Sequence, residues 1–468
     1  MSAPDIDQAV MAQFAPLAGD ADLTLVLGAG ASAPSGLPTW DQFARSLATI
    51  SGVVAKESAA DILLSKQDPT IVLEAARASS GKDWELHLNK ALFGGPVTDP
   101  RPSPLHLAAA GQFLAAPRST LLSTLNYDTL LEEALLDNGN AEVLIGIGGS
   151  TTSSAPIVHH LHGALWQGAA YDPVVSFRDY AELVENSDAW QRQYLSQALS
   201  RGPLLLAGTS YRDPAIRHWL HLILRDESPK YPALVTIVRE GLGLDRASFA
   251  LVDRALASEW ESIGLSALRM HDLSDVAHVI RELRFIGQEG YRTPQERARQ
   301  VWSSHARRFD RLQDEYSALL AEHTDLVADT LGTKAHRGTL WLANGRSRLA
   351  RWATVGSRYR GIRDLKLVPT GHDSPWVAGE AIGSEEVKLK DIHRDHRVTP
   401  SWRSVLAIPI FVGDGQTSDF ATAVLTFGLS TPAARLVERS ADWESLAEDL
   451  NNTWGARIGD VSFPVRVN

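Results

Sequence analysis

The 468-residue sequence predicts an α/β protein: a doubly wound parallel sheet carrying a helical insertion, then a linker helix, then a smaller α+β domain. Three observations carry that expectation. Short apolar runs such as Leu23 to Leu27, Pro203 to Ala207 and Ala233 to Val238 alternate with helical apolar spacings, which is how buried parallel strands and their crossover helices read. The alternation stops near residue 288. Beyond it one helical pattern runs from Pro294 to about Thr330, and shorter strand-like runs separated by turn residues follow.

The early strands end on residues suited to a ligand. Leu23 to Leu27 runs into Gly28-Ala29-Gly30-Ala31-Ser32 and then Ser35-Gly36-Leu37-Pro38. Glycines let a backbone approach a ligand closely, and turn amides can point at a phosphate. A glycine turn alone is a weak signal, since any strand end can need one. The run from Ser119 ends on Thr124-Leu125-Asn126-Tyr127-Asp128 and opens the helical spacing Leu130, Leu131, Ala134, Leu135. Pro156 to Leu161 closes on His162-Gly163, and Pro203 to Ala207 on Gly208-Thr209-Ser210, with Asp213 beginning another helix. Ligands of open α/β sheets collect at the carboxyl ends of strands, where all four pieces fall.

In this order the four pieces resemble the sirtuin superfamily, whose signatures are a GAGxS turn followed by G-[IL]-P, a T-x-N-x-D segment, an H-G pair and a G-T-S turn, here spread over about residues 23 to 213. The resemblance implies a Rossmann-like domain that uses NAD. Deacylases of that superfamily hold a structural zinc through paired CxxC motifs, whereas this chain has no cysteine, so that site cannot form. Their glycine turn usually continues P-D-F-R; here it continues Pro38-Thr39-Trp40-Asp41. With Gly208-Thr209-Ser210-Tyr211-Arg212-Asp213-Pro214, the chain is similar to the zinc-free sirtuin-like branch of prokaryotic defence proteins, whose members often hydrolyse NAD. The resemblance therefore implies an NAD hydrolase releasing nicotinamide and ADP-ribose, with NAD as substrate and no zinc, acting in antiviral defence.

Splitting the nicotinamide–ribose bond develops positive charge on the sugar, as in glycoside cleavage. His162 is the candidate base for water or a ribose hydroxyl, because imidazole titrates near operating pH; the alternative is a structural histidine ending a buried strand. Asn126 offers a donor and an acceptor for positioning water or ribose, with a helix cap as its alternative. By resemblance Asp128 contacts the nicotinamide carboxamide, or else it caps the following helix. Gly28, Ala29, Gly30 and Ser32 would carry the pyrophosphate, and Gly208, Thr209 and Ser210 resemble further phosphate and ribose contacts. Asp213 precedes a proline at a helix start and reads as an N-cap. His159, His160 and His162 invite a metal, but strand alternation places only His160 and His162 on one face and no carboxylate triad accompanies them, so no metal site is expected. No GxxxxGK[ST] loop occurs, and ATP chemistry is not indicated.

Composition fits a soluble, cytoplasmic enzyme. A formal charge of −11 and pI near 5.8 argue against generic nucleic-acid binding. No apolar run of about 18 residues exists, and Met1 to Asp5 lacks a basic region followed by an apolar one, so neither membrane insertion nor export is expected.

Three regions follow: 1–288 catalytic, 289–332 linker and 333–468 regulatory. Within the first, residues 40 to 115 form a mostly helical insertion over the site, in which Trp40 and Phe43 read as core rather than ligand stackers. In the linker, Trp302, His305, Phe309, Leu312, Tyr316, Leu319, His323 and Leu326 recur at spacings of three and four. That seam suggests two helices pairing in a homo-oligomer; a single helix lying on the next domain's sheet is the alternative. Asn344-Gly345 between apolar runs signals a hairpin. With Trp376 to Gly383, Trp402 to Ile410, a loop at Gly413-Asp414-Gly415 and Ala421 to Leu429, the third region resembles a GAF domain, which implies a sensor or oligomerisation module. Between Lys334 and Lys366 nine lysines or arginines face one acid, Asp364, which suits a small anionic signal or an acidic partner protein, or else an exposed basic face paired with the acidic first domain. The competing functions are a non-catalytic NAD or ADP-ribose sensor and an NAD-dependent protein deacylase or ADP-ribosyltransferase.

Overall fold

The computed structural model describes residues 3–97, 99–140, 142–148, 155–166, 168–209, 213–392, 402–437 and 440–463. They form two compact units, residues 13–287 and residues 288–468 together with 1–12.

The strands of the first unit are β1 Leu23–Leu27, β2 Thr120–Thr124, β3 Leu144–Gly146, β4 Ile157–His160, β5 Ala164–Trp166, β6 Ala169–Tyr171, β7 Leu204–Ala207, β8 Ala233–Val238 and β9 Ser266–Met270. Seven of them make one sheet in the order β3-β4-β2-β1-β7-β8-β9, with every pairing parallel. Strands β1, β7 and β8 are buried along their whole length, which explains their unbroken apolar sequences. The strand order reverses between β1 and β7. Leu27 pairs with both Thr124 and Ala207, and Thr124 with His160, so the loops leaving β1, β2, β4 and β7 emerge side by side at one edge. That reversal is where an open sheet leaves a crevice.

Helix starts follow a repeated rule. Asp68-Pro69, Ser103-Pro104, Asp213-Pro214 and Thr293-Pro294 each place a capping side chain before a proline whose missing N–H the first turn does not need. Between β1 and β2 the insertion comprises helices Trp40–Ile50, Glu57–Leu64, Pro69–Ser80, Trp84–Phe93 and Pro104–Ala115. Phe43, Leu47, Leu73, Leu88 and Leu92 pack together with Tyr127, Leu165 and Val175, so much of the insertion shares a core with the segments following β2 and β4.

The second unit is built on an antiparallel sheet in the order β12-β11-β10-β15-β14-β13, from β10 Ala335–Ala343, β11 Arg348–Thr354, β12 Leu367–Pro369, β13 Lys388–Asp391, β14 Ser404–Val412 and β15 Phe420–Leu429. Asn344-Gly345 turns β10 into β11, with Gly345 at φ +65°. The helical pattern ahead of the sheet is two helices, Pro294–Ala306 and Phe309–Leu331. Their seam lies on the unit's own sheet: Phe309, Leu312, Tyr316 and Leu320 share a core with Leu340, Trp352 and Phe427, while Leu326 is 43% exposed. The seam histidines are satisfied within the unit. His305 sits between Val301 O at 2.8 Å and the Tyr316 hydroxyl at 2.9 Å, and His323 Nδ1 accepts from Trp454 Nε1 at 2.8 Å. In the basic run, Lys366 lies 3.6 Å over the Trp376 ring and Arg358 pairs with Asp314 at 3.2 Å. Among the described residues no helix is long and apolar enough to cross a membrane.

Candidate functional site

The loops after β1 and β7 interlock through glycine. Gly28 N donates to Ala207 O at 2.9 Å and Gly30 N to Gly208 O at 2.8 Å, extending the strand pairing past both ends. A Cβ on Gly28 would lie 2.6 Å from Thr209 Cα, and one on Gly30 2.9 Å from Gly208 O. Gly208 itself has φ +69°. Ala31 N and Ser32 N donate back to Gly28 O and Ala29 O, closing a tight turn. The amides of Gly28, Gly30, Ala31 and Ser32 are thus engaged within the protein, and what the turn supplies is a close-packed floor. Thr209 continues that floor; Ser210 lies outside the described residues.

Above it stands a buried polar network. Asn126 Nδ2 donates to Gly28 O at 3.1 Å and to Ser32 Oγ at 2.9 Å. A backbone carbonyl can only accept, so the amide orientation is fixed and Oδ1 points away from both contacts. Oδ1 is buried and has no hydrogen-bond partner among the described residues. Ser32 Oγ donates to Asp128 Oδ2 at 2.8 Å. His106 Nδ1 accepts from Ser103 N at 3.1 Å, so in its neutral form His106 carries its proton on Nε2, which reaches Ser32 Oγ at 3.4 Å. Burial holds His106 neutral, lowering its pKa to about 3. The Ser32 hydroxyl therefore uses its one donor and both acceptor positions inside the network. Asp128 takes the capping alternative, with Oδ1 accepting from Leu130 N at 3.2 Å, and its Oδ2 holds Ser32. Burial raises its pKa, against the opposing effect of those bonds.

Two histidines at the end of β4 each meet a buried carboxylate. His160 Nε2 lies 2.6 Å from Glu132 Oε1 and its Nδ1 3.0 Å from Asn126 O. Burial would lower its pKa, but the Glu132 charge and bond and the Asn126 carbonyl outweigh it and leave the pKa raised. His162 Nε2 lies 2.6 Å from Asp213 Oδ2, and its Nδ1 is buried without a partner among the described residues. Burial pushes the Asp213 carboxyl up, yet the His162 ring and the amides of Ile216 and Ala215 hold it below its ordinary range. His159 does not join them: it packs on Tyr194 with ring centres 4.7 Å apart, and burial lowers its pKa to about 4.

Asn126, Asp128, His162 and Asp213 line one cavity with Gly28, Ala29 and Ser32. The cavity opens to solvent and has a volume of about 670 Å³. Leu37, Pro38, Trp40, Phe43 and Leu92 form its apolar wall. Trp40 and Phe43 are thereby core and cavity lining at once. Tyr180 meets the His162 ring edge-on at 5.5 Å, and the Tyr127 hydroxyl donates to Val174 O at 2.6 Å. Sequence reasoning placed Asn126, Asp128 and His162 together but missed Glu132, His106 and the second face of Asp213. The available signal for Asp213 was its place just beyond a strand-end motif, where a capping carboxylate keeps a second oxygen for another partner.

No curated protein matches the chain. Among solved structures it is similar to Sir2Tm bound to a propionylated peptide, with 16% identity over 59% of this chain and 99% of that one and a TM-score of 0.29. It is also similar to a protein described as a GAF sensor from Burkholderia vietnamiensis, with 14% identity over 32% of this chain and 86% of that one and a TM-score of 0.21. Residues 120–268 match the family model of the SIR2-like domain, a span that includes Asn126, Asp128, His160, His162 and Asp213, with the β1 glycine turn ahead of it.

Proposed function

We propose that residues 13–287 bind NAD as substrate and hydrolyse its nicotinamide–ribose bond to nicotinamide and ADP-ribose. The observation that carries this reading is that two buried atoms without partners among the described residues, Asn126 Oδ1 and His162 Nδ1, belong to side chains lining one cavity at the point where strand order reverses. Buried polar atoms are normally satisfied, and two exceptions in one cavity fit groups reserved for a reacting molecule. In the reaction the bond from ribose C1′ to the ring nitrogen breaks and its electron pair neutralises the pyridinium. Water oxygen bonds to C1′, and the water proton passes to His162 Nδ1. Asn126 Oδ1 accepts a hydrogen bond from the water or a ribose hydroxyl and sets its approach. A base so placed contributes about 10²–10⁴-fold. Asp128 keeps lone pairs beyond those used by Leu130 and Ser32 and accepts the carboxamide N–H. The glycine floor and Thr209 are assigned to the pyrophosphate end, with Ser210, by its place in the sequence, as a further contact there.

The second unit is assigned a regulatory role as a GAF-like sensor for a small anionic signal. An unregulated NAD hydrolase would exhaust its cell, so a coupled sensor suits an effector of antiviral defence. The test is to incubate the purified protein with NAD and follow nicotinamide and ADP-ribose by chromatography beside Asn126→Ala and His162→Ala. Turnover lost in both variants supports the reading. Equal turnover in His162→Ala sinks the base assignment, and NAD binding without turnover in any protein favours the sensing module.

A further inference from the structure

We propose that Asp213 is a positioning residue that locks the His162 imidazole with its proton on Nε2 and its lone pair on Nδ1, the nitrogen without a partner among the described residues; the proposal rests on the hydrolase reading. The geometry divides one carboxylate between two tasks. Oδ1 accepts from Ala215 N and Ile216 N, both at 3.1 Å, at the start of helix Pro214–Leu222. Oδ2 meets His162 Nε2 at 2.6 Å, with side-chain exposures of 8% for Asp213 and 2% for His162. Two backbone donors and the positive end of the helix dipole favour the ionised carboxylate. An ionised carboxylate can only accept, so Nε2 must donate, and in the neutral ring Nδ1 is then the basic nitrogen. Tyr180, edge-on at 5.5 Å, and Trp219 at 6.3 Å limit how the ring can turn.

The arrangement follows the logic of a base oriented by a third group, with the orienter built into a helix cap. The cap anchors the carboxylate whatever the ring does. The start of a helix thereby decides which imidazole nitrogen accepts a proton.

Asp213→Asn separates this role from capping. The amide oxygen can still accept from Ala215 and Ile216, while its NH₂ group faces Nε2 and forces that nitrogen to accept, moving the ring proton to Nδ1 and removing the base. Nitrogen NMR on histidine-labelled protein is expected to report Nε2–H for His162 in the unaltered chain and Nδ1–H in Asp213→Asn. Thermal unfolding should be nearly unchanged, the NAD dissociation constant should shift by no more than a few fold, and kcat should fall by about 10²–10⁴-fold. Nδ1–H in the unaltered chain overturns the proposal whether or not it turns over NAD. Unchanged kcat in Asp213→Asn also overturns it, leaving Asp213 a cap. Absence of turnover in the unaltered chain defeats the hydrolase reading alone, because the tautomer comparison still tests the hold of Asp213 on His162.

Discussion

Replacing Gly28 with alanine is expected to destabilise the parallel-sheet unit by about 1–3 kcal/mol, the usual cost of forcing extra volume into a filled site. Conformation is not the source of that cost. Gly28 has φ −115° and ψ −177°, extended backbone open to any residue. A Cβ there would lie 2.6 Å from Thr209 Cα, 2.7 Å from Gly208 O and 3.0 Å from Gly208 C, whereas carbon atoms in contact sit about 3.5–4.0 Å apart. All three neighbours are main chain and cannot turn aside by changing rotamer. The loops must part by roughly 1 Å to restore contact distances. Parting strains the Gly28 N to Ala207 O and Gly30 N to Gly208 O bonds, each worth about 0.5–1.5 kcal/mol. Gly111 supplies a control of opposite sign. It lies within helix Pro104–Ala115 and a Cβ there meets nothing within 4 Å, so alanine should stabilise by about 0.5–1 kcal/mol. Urea unfolding of both variants gives the two signs, and hydrogen exchange at the Leu25 and Leu205 amides assigns the change to this sheet. A Gly28→Ala protein as stable as the unaltered chain would refute the interlocked-loop account.

Two further outcomes concern acid stability and the second unit. His106 has its pKa lowered to about 3 by burial, so between about pH 6.5 and 3 the unfolded chain takes up a proton that the folded one refuses; its share of stability is intact above that window and falls with decreasing pH by up to ~1.4 kcal/mol per unit, and a His106→Gln protein should show a shallower acid limb in pH-dependent unfolding. Trp352 is fully buried with Phe309 at 5.2 Å and Trp302 at 5.4 Å, both edge-on, so Trp352→Ala should cost about 3–5 kcal/mol, read as an earlier denaturation midpoint; a loss below 1 kcal/mol would show that the site collapses around the missing ring.

The parallel sheet was legible because strands buried on both faces must be apolar throughout, as β1, β7 and β8 are, and because cap-proline pairs mark where helices start. Strands β3, β5 and β6 are three residues each, too short to show a period. The seam from Trp302 to Leu326 could be read as a helix pair or as a helix on a sheet, since spacings of three and four mark the buried face without saying what buries it. Site residues on strand ends were visible for the same reason as the strands. Their partners were not. Glu132 lies on a helix where its sequence neighbours indicate a polar surface position, yet it is buried against His160. The engagement of Ser32 depends on His106, brought in by the helical insertion, and no local pattern around either residue announces the other.

The two histidines that end one strand show how small a difference separates support from chemistry. Both are buried, and both hold a carboxylate oxygen at 2.6 Å through Nε2. The remaining nitrogen decides between them. For His160 it faces the Asn126 carbonyl, which can only accept, so against an ionised Glu132 both ring nitrogens donate and the charged form of the ring is favoured, in keeping with its raised pKa. Such a ring has no lone pair with which to take a proton. Its contribution is to pin the backbone of Asn126 while the Asn126 side chain is pinned by Gly28 and Ser32, leaving Oδ1 as the atom that residue still has to offer. For His162 the remaining nitrogen has no partner among the described residues, so with Asp213 accepting the proton on Nε2 the lone pair on Nδ1 is the available base. One carbonyl oxygen, supplied by the backbone of the neighbouring site residue, therefore separates the histidine that braces the site from the one able to act in it.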